Sequence, residues 1–326
     1  MAFPYPNPNP TLLVDDSDDD SAIGDDVVDS TCSSLSDSVT ASLSENGRTY
    51  HSYCDGAYLF PNDEEEQQRL DLQHAMFTRL LGSRLYLAPI SRPDHVLDLG
   101  TGTGIWAIDF ADLHPESIVR GVDLSPIQPN WVPPNCSFEI FNYKETWEFN
   151  HQFDFVCARE IWTSITSPSN ALFQQVWDNL TPGGWFEMQD IVLPRSDDGT
   201  IPEGGSYHTW IKDYHTALRA AGRNPDIAEE YEHRLHSVGF TDVHKVVFKL
   251  PQNKWPKFKS LKLLGTYQHE NTLRGLEAWS LRLFTQYLER PVSAVQEQLE
   301  GVEKDIGKTG IHAYWPVVVV YAQKPW

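Results

Sequence analysis

Residues 95–105 read His95-Val-Leu-Asp-Leu-Gly100-Thr-Gly-Thr-Gly-Ile105, and this stretch decides the fold. A short apolar run followed by three glycines is typical of a buried strand that turns sharply into a helix. The first turn of such a helix has unpaired N–H groups and a positive dipole end, which suit a carboxylate or a phosphate. A dinucleotide fingerprint would need Gly or Ala at position 105, where this chain has Ile105, so a dinucleotide-dependent oxidoreductase is disfavoured.

Strands and helices alternate outward from this stretch. Alternation of this kind predicts βαβ units, and hence an α/β fold whose mostly parallel sheet has helices on both faces. We predict seven strands, near residues 95–99, 117–122, 136–141, 153–158, 185–191, 242–250 and 314–322. Helices are predicted over residues 62–81 (capped by Asn62), 105–111, 169–180 and 228–238.

Two stretches interrupt the alternation, residues 195–227 and 252–312. Both have largely helical and polar patterns, which is typical of surface insertions. We expect them to form a helical cap above the sheet, over a bound substrate, within one domain that spans residues 48–326.

Residues 1–47 have a different texture, with Pro-Asn repeats, an Asp-rich run and a Ser/Thr-rich stretch. They contain ten acidic residues and no Lys or Arg. Low hydrophobicity and high charge cannot offset the entropy of ordering, so this segment is predicted to be a disordered tail. It either solvates the protein or binds a partner.

Composition excludes several classes of function. The formal net charge is −21, and residues 48–326 alone carry 36 acidic against 25 basic residues, so nucleic acid is not expected as a substrate. The longest aliphatic run, Val317–Val320, is far shorter than the ~20 residues that span a bilayer, so no membrane partner is expected. Four scattered cysteines and no evident signal peptide favour a cytoplasmic location.

Two polar residues at strand ends are candidates for cofactor binding. Asp123 closes the second strand, 19 positions after Gly104, where a carboxylate can accept hydrogen bonds from both hydroxyls of a ribose. Asn142 follows the third strand, and its amide oxygen can accept a hydrogen bond. Because the carboxyl ends of parallel strands meet at one edge of the sheet, both side chains are expected beside the glycine loop.

Taken together, the motifs resemble the fungal LaeA-like methyltransferases, which include a nuclear regulator of secondary metabolism and many enzymes of metabolite gene clusters. The resemblance covers nearly everything after residue 45. Its marks are Glu45-Asn-Gly-Arg-Thr-Tyr50-His, Tyr58-Leu-Phe-Pro-Asn-Asp63-Glu, Arg69-Leu-Asp71, Asp98-Leu-Gly-Thr-Gly-Thr-Gly-Ile-Trp106, Asp123-Leu-Ser-Pro-Ile-Gln-Pro129, Pro182-Gly-Gly-Trp185 and Ile311-His-Ala-Tyr314. Departures are Phe141-Asn-Tyr143, where many relatives have Asp-Asp-Ala, and Trp162-Thr-Ser164, where many have Ala-Gly-Ser.

The resemblance implies a Rossmann-like methyltransferase fold with S-adenosylmethionine as cofactor. It implies that Asp98 and the loop backbone hold the methionine end, and that Asn142 reads the adenine amino group. Tyr50 and Tyr58 lie in a segment that could fold over the cofactor, although structural aromatic packing explains them almost as well. The complete set of expected cofactor contacts is Asp98, Gly100, Thr101, Gly102, Gly104, Asp123, Leu124, Asn142, Arg159, Tyr50 and Tyr58.

Candidates for the acceptor pocket are fewer. Arg159, Glu160 and Trp162 follow the fourth strand and so lie near the transferable methyl group, although Arg159 and Glu160 could instead form a surface ion pair. His208 lies in the predicted cap and could supply a base. The sequence has no HExxH motif and no cysteine pair, so no metal site is expected.

Two hypotheses follow. The first is an enzyme that methylates a small secondary metabolite at oxygen or nitrogen. The second is a regulator, nuclear in that case, that binds the cofactor and acts through protein partners.

Overall fold

The computed structural model describes residues 42–45, 47–51, 59–165 and 169–326. A single turn of 3₁₀-helix, Trp162–Ser164, follows the fourth strand of the main sheet. Along the chain the other elements are β1 (Ser42–Glu45), β2 (Arg48–His51), α1 (Glu64–Leu80), β3 (His95–Leu99), α2 (Ile105–Leu113), β4 (Ile118–Asp123), β5 (Cys136–Ile140), β6 (Phe153–Arg159), α3 (Ala171–Asn179), β7 (Leu180–Ile191), α4 (Ser206–Ala220), α5 (Ile227–Val238), β8 (Thr241–Pro251), α6 (Lys259–Tyr287), α7 (Val292–Ile306) and β9 (Tyr314–Gln323).

Seven strands form one sheet in the order β5-β4-β3-β6-β7-β9-β8. The neighbours from β5 to β7 are parallel, and β9 runs antiparallel to both β7 and β8. The predicted α/β fold with a mostly parallel, seven-stranded, Rossmann-like sheet is therefore confirmed. The chain leaves β3 toward β4 and β5 and returns to β6 on the other side of β3, so the carboxyl end of β3 is the switch point where such sheets bind ligands.

Strand β3 is buried on both faces because helices cover both faces of the sheet. Val96 packs in a cluster with Trp106 and Phe110 of α2. Leu97 and Leu99 point the other way, into the larger cluster that contains Phe77 of α1. Burying one such side chain contributes roughly 1.5–3 kcal/mol, so these contacts fix where β3 ends and where the glycine loop begins.

Helix α1 begins one residue later than expected. Asp63, not Asn62, caps it, because the Asp63 backbone is extended and its side chain accepts a hydrogen bond from Glu66 N at 3.1 Å. Arg48 of β2 donates to both carboxylate oxygens of Asp63, at 2.6 and 2.7 Å. The N-terminal hairpin is thus fastened to the start of α1.

The predicted tail ends earlier than residue 47. Ser42–Glu45 pairs antiparallel with Arg48–His51. Glu45 forms an ion pair with the buried Arg282 of α6, with Oε2 3.3 Å from Nε. This long-range contact is invisible to a composition argument, which assigned these residues to the tail. The rest of the predicted tail, residues 1–41, lies outside the described residues.

The two insertions contribute three helices. Residues 195–227 contain α4, and residues 252–312 contain α6 and α7. These helices pack against one another, and α6 also packs along α1. Because α1 borders the glycine loop, this arrangement brings α4 and α6 to the carboxyl end of the sheet.

Candidate cofactor and acceptor site

Three connected cavities lie at the carboxyl ends of the strands. The loop cleft, about 430 Å³, runs along the glycine loop from Asp98 to Trp106. The strand-end cleft, about 770 Å³, lies over the ends of β4 and β5. The aromatic chamber, about 570 Å³, lies between the sheet, α1 and the inserted helices. Leu70 and Glu160 line all three cavities and so mark their junction.

The glycine loop needs its glycines for two physical reasons. Gly100, Gly102 and Gly104 have φ values of +70°, +57° and +83°, a region that L side chains rarely adopt. At Gly104, which begins α2, an added Cβ would also lie 2.4 Å from Cζ of Phe138. Val122 O accepts hydrogen bonds from Gly100 N and Thr101 N at 2.9 and 3.0 Å, which holds the loop against β4.

Asp98 lies in the floor of the loop cleft. It is almost fully buried, and Oδ2 accepts a hydrogen bond from Thr101 Oγ1 at 2.6 Å. Burial raises the pKa of Asp98 to about 6. A cation placed in this cleft would therefore favour the ionised carboxylate.

Asp123 is the last residue of β4 and lines the strand-end cleft. Its two oxygens accept hydrogen bonds from Gly102 N and Ser125 N, both at 2.9 Å. Each oxygen keeps further capacity, because a carboxylate offers about four acceptor positions. Burial raises the pKa of Asp123. Leu124 and Asn142 line the same cleft.

Asn142 follows β5 in a tight turn. Its Oδ1 accepts a hydrogen bond from Lys144 N at 3.1 Å, and its Nδ2 donates to Glu145 Oε1 at 2.9 Å. These contacts fix the orientation of the amide.

Arg159, at the end of β6, is half-buried and bonded to other groups rather than paired with Glu160 at the surface. It donates through Nε to Gln189 Oε1 at 2.9 Å and through Nη2 to Leu85 O at 3.2 Å, and its guanidinium lies 4.6 Å from the ring centre of Phe77. It lines both the loop cleft and the strand-end cleft. Burial lowers its pKa, yet an arginine stays protonated in proteins, so Arg159 places a positive charge beside Asp98.

His74 completes this end of the site from α1. Its Nδ1 lies 3.2 Å from Arg159 Nη1, and its Nε2 lies 2.9 Å from Asp109 Oδ2. Since arginine is only a donor, Nδ1 accepts, and Nε2 carries the proton that is donated to Asp109. Burial and then Arg159 lower the pKa of His74, which favours this neutral tautomer.

Glu160 has the most unusual environment of the site. Its φ of +59° is rare for a residue with a side chain. Its Oε1 accepts a hydrogen bond from Ile191 N at 2.5 Å, and its Oε2 accepts one from Gln73 Nε2 at 3.3 Å. Burial, and then the nearby Asp190, raise the pKa of Glu160 to about 8.

The aromatic chamber begins at Trp162. Its backbone N donates to Asp190 Oδ1 at 3.3 Å, which holds the turn after β6 against β7. Of the fifteen residues in the chamber wall, six are aromatic, six are polar and three are aliphatic. The chamber is lined by Phe60, Arg69, Leu70, Gln73, Glu160, Trp162, Thr163, Ile191, Leu193, Trp210, Tyr214, Gln268, Asn271, Trp279 and Trp315.

Two expected site residues do not line the three cavities, and a third is not among the described residues. His208 lies on the outer side of α4, where its Nδ1 accepts a hydrogen bond from Gly204 N, and the described walls of the cavities do not include it. The buried residues of this helix include Tyr207, Trp210 and Tyr214 but not His208, so a base at His208 stays a prediction that the cavities do not support. Tyr50 is buried against Arg282, 4.7 Å from its guanidinium, and is likewise absent from those walls. Tyr58 lies outside the described residues.

Helix α1 contributes side chains to the site that were not among the expected residues. Gln73 and His74 reach the clefts, while Arg69 is buried between Glu66, at 2.7 and 2.9 Å, and Asn271 of α6, at 2.7 Å. The spacing of Glu66, Arg69 and Gln73 was the available signal, because polar residues at helical spacing recur on the face that Leu70 and Phe77 bury.

Two features, a cluster of metal ligands and a membrane-spanning helix, are absent from the part of the chain that the structure describes. No group of three or more His, Cys, Asp or Glu side chains is arranged to hold a metal ion there. Nor does any helix in that part combine the length and the apolar composition that crossing a membrane requires.

Comparison with known proteins gives the class of this chain. A family model described as a methyltransferase domain matches residues 72–245. Methyltransferase pytC of Aspergillus terreus is 40% identical over 301 residues, which cover 91% of this chain and 93% of that protein. With the fold and the glycine loop described above, these matches show an S-adenosylmethionine-dependent methyltransferase.

Two further relatives narrow the family. Secondary metabolism regulator LAE1 of Cochliobolus heterostrophus is 35% identical, over 86% of this chain and 94% of that protein. Probable methyltransferase tdiE of Emericella nidulans is 34% identical, over 80% of this chain and 82% of that protein. The chain belongs to the LaeA-like family of fungal methyltransferases.

Proposed function

We propose that this protein transfers a methyl group from S-adenosylmethionine to a small secondary metabolite, at oxygen or nitrogen. One observation carries the proposal: a chamber rich in tryptophan adjoins both cofactor clefts at Glu160. When bound, the cofactor supplies an electrophilic methyl group on a sulfonium. Methyl transfer requires alignment of the acceptor with that group in a dry site, which such a chamber provides.

The loop cleft suits the methionine end of the cofactor. Asp98 presents a carboxylate and Arg159 a guanidinium to the same cleft, and an amino acid zwitterion carries the two complementary charges. The backbone of Gly100, Thr101, Gly102 and Gly104 allows the close approach that this end requires.

The strand-end cleft suits the adenosine end. Asp123 would accept hydrogen bonds from the ribose hydroxyls, and Leu124 would pack beside the base. Asn142 lines the same cleft and would lie beside the adenine amino group.

The Asp123→Ala variant tests this placement. Loss of a hydrogen bond to a charged group costs about 1.5–3 kcal/mol, which corresponds to a ~10- to 150-fold weaker affinity for S-adenosylhomocysteine by calorimetry. Asp112→Ala, which removes an exposed acid from α2, is the control for the change in net charge. Equal affinities of the two variants would remove Asp123 from the site.

The substrate proposal is tested with methyl-labelled S-adenosylmethionine and an extract of the source organism that lacks this gene. We expect label in a discrete small molecule with the wild-type protein. We expect none with Gly102→Arg, because residue 102 lines both cofactor clefts and has a φ of +57°. A labelled small molecule would establish an enzyme of metabolite biosynthesis.

The second candidate is a nuclear regulator that binds the cofactor and acts through protein partners. The specific observation in its favour is that relatives 33–35% identical to this chain bear the name secondary metabolism regulator. Label confined to protein, or measurable cofactor binding with no labelled product, would support this candidate and contradict the first. The net charge of −21 opposes a phosphate backbone as the acceptor in either case.

A further inference from the structure

We propose that the acceptor is a flat, uncharged aryl alcohol, held in the aromatic chamber with its hydroxyl against Glu160, and that Glu160 removes the hydroxyl proton. This inference rests on the proposed function and specifies its substrate class. It comes from the shape of the chamber, from the charges around it and from the position of Glu160 where the three cavities meet.

The walls of the chamber favour a flat apolar molecule. Trp162, Trp210, Trp279 and Trp315 line it, and two of their indole N–H donors already have partners in the protein. Trp210 Nε1 donates to Ser280 Oγ at 2.8 Å, and Trp315 Nε1 donates to Gln252 Oε1 at 2.5 Å. These two rings therefore offer the ligand aromatic surface rather than donors.

The charges of the chamber exclude an ionic acceptor. The guanidinium of Arg69 donates to both oxygens of Glu66 and to Asn271, so its charge is balanced within the protein. An anionic acceptor would lie beside Glu160 without a cation of its own. A cationic amine would be repelled by the sulfonium of the cofactor, whereas a neutral hydroxyl is not.

Glu160 is the group that can take the proton. Among the described residues of the chamber wall, the ionisable side chains are Arg69, Glu160 and Tyr214. Arginine has no acceptor, and burial raises the pKa of Tyr214, so its neutral hydroxyl is no base. Glu160 Oε2 has a single long hydrogen bond, from Gln73, and therefore keeps a lone pair for the acceptor.

The neighbours of Glu160 determine when it is ionised. Asp190 of β7 raises its pKa, while Arg69 of α1 and Arg159 of β6 lower it. Glu160 also interacts electrostatically with the hydroxyls of Tyr214 on α4 and Tyr231 on α5. The Tyr231 hydroxyl donates a hydrogen bond to Asp190 Oδ2 at 2.7 Å. Burial dominates, so Glu160 gains its charge only near pH 8 and is then a base of useful strength.

The step balances. The acceptor oxygen forms a bond to the methyl carbon with one of its electron pairs, and the carbon–sulfur electron pair remains on sulfur. Glu160 takes the hydroxyl proton and becomes a neutral carboxylic acid, while the positive charge on sulfur disappears. No oxidant, reductant or metal takes part.

The binding test uses three probes with the same ring system: 2-naphthol, 2-naphthylmethylamine and 2-naphthoic acid. Calorimetry is performed with S-adenosylhomocysteine present, and it requires no turnover. We expect 2-naphthol to bind at least tenfold more tightly than the other two, and Trp279→Ala to weaken it about tenfold or more. Trp131→Ala, which removes a tryptophan that is 94% exposed, is the matched control and should have no effect.

Every other result of this test overturns the inference. Tighter binding of the amine would assign an amine acceptor, and tighter binding of the acid an anionic one. Absence of binding by all three probes would contradict the chamber as a site for flat aromatic molecules. A labelled product in the extract assay together with any of these three results would leave the methyltransferase function intact.

The base is tested separately with Glu160→Gln, which retains an acceptor for Ile191 N. We expect turnover of the labelled acceptor to fall by ~100-fold or more, and its rise with pH toward 8 to disappear. The affinity for 2-naphthol should stay within about threefold, a split that a merely structural role would not produce. Turnover within fivefold of wild type, with an unchanged pH profile, would show that Glu160 is not the base.

Discussion

Among single residues, the positive-φ glycines differ in what surrounds them. Gly104 has a φ of +83°, and the ring of Phe138 lies where its Cβ would be. Gly222, after α4, has a φ of +72°, with no atom within 4 Å of an added Cβ. The pair separates the cost of backbone strain from the cost of a steric clash.

We expect Gly222→Ala to lower the free energy of unfolding by about 1–2 kcal/mol, the cost of an L residue in this region. Gly104→Ala should lose about 1–3 kcal/mol more, because the ring of Phe138 must move. It should also weaken the binding of S-adenosylhomocysteine, which Gly222→Ala should leave unchanged. Urea denaturation and calorimetry measure both effects. Equal losses of stability would show that Phe138 moves aside without cost.

The residues that the sequence predicted well are those that local patterns determine. Three parts of the site lie at the end of a strand or just after it: the glycine loop, Asp123 and Asn142. The strand pattern alone therefore places them at the carboxyl edge of the sheet. Gln73 and Arg69 reach the site only because α1 packs along α6, a contact between residues about 200 positions apart. No local pattern contains such a contact, and for the same reason the inward or outward side of His208 could not be read from the sequence.

At the scale of elements, α1 joins the sheet to the inserted helices through buried charges. Glu66 and Arg69 are 2.7 Å apart with side chains 1% and 4% exposed, and Arg69 lies 5.2 Å from the ring centre of Trp279. A buried pair of this kind is weak evidence for net stabilisation, yet removal of one partner leaves a charge without compensation. The geometry of the aromatic chamber depends on this junction.

We therefore expect Arg69→Met to lower the free energy of unfolding by about 3–5 kcal/mol, because Glu66 remains buried alone. The double variant Glu66→Leu/Arg69→Met should be more stable than Arg69→Met. Arg274→Met is the matched control: its pair with Glu270 on α6 is exposed, and its loss should cost less than about 1 kcal/mol. Urea denaturation of the four proteins gives the comparison, and a double variant no more stable than the single one would contradict the argument.

Among the elements, the sheet was more predictable than its surroundings. Alternating short apolar runs and glycine turns identified all seven strands, since buried parallel strands have a strong local signature. Some strand ends differ from the predicted ends because pairing with a neighbouring strand determines them. Strand β7 begins at Leu180 rather than near residue 185, because Leu180 pairs with Phe153 before the turn at Gly183. Strands β1 and β2 were not predicted, although their pairing is local; the ion pair that fastens this hairpin to α6 joins Glu45 to Arg282, a contact between distant segments.

At the scale of the whole molecule, the site concentrates buried carboxyls in an acidic protein. Burial raises the pKa of Asp98 to about 6, that of Glu187 and Asp190 to about 7, and that of Glu160 to about 8. In the unfolded chain such groups titrate near pH ~4. Between about pH 4 and pH 8 the folded protein therefore binds more protons than the unfolded chain.

Linkage then fixes the sign of the pH dependence. Where the folded state binds more protons, the free energy of unfolding falls as pH rises, so this contribution is present in full below about pH 4 and is lost by about pH 8. The net charge of −21 acts in the same direction, because self-repulsion grows as carboxyls ionise. We expect the ligand-free protein to melt at least ~4 °C lower at pH 8 than at pH 6, since one pKa unit is about 1.4 kcal/mol and 1 kcal/mol shifts the melting temperature by roughly 2–4 °C.

Calorimetric melting in buffers from pH 6 to 8.5 measures this dependence, and one variant attributes it to the site. Glu160→Gln should flatten the fall between pH 7 and 8, because the group that titrates there is gone. Glu300→Gln, the same change on the exposed side of α7, should leave the fall as it is in the wild type. A melting temperature that rises with pH would mean that the site carboxyls are ionised in the folded protein throughout this range. In that case Glu160 would meet its acceptor already charged, and turnover would show no rise toward pH 8.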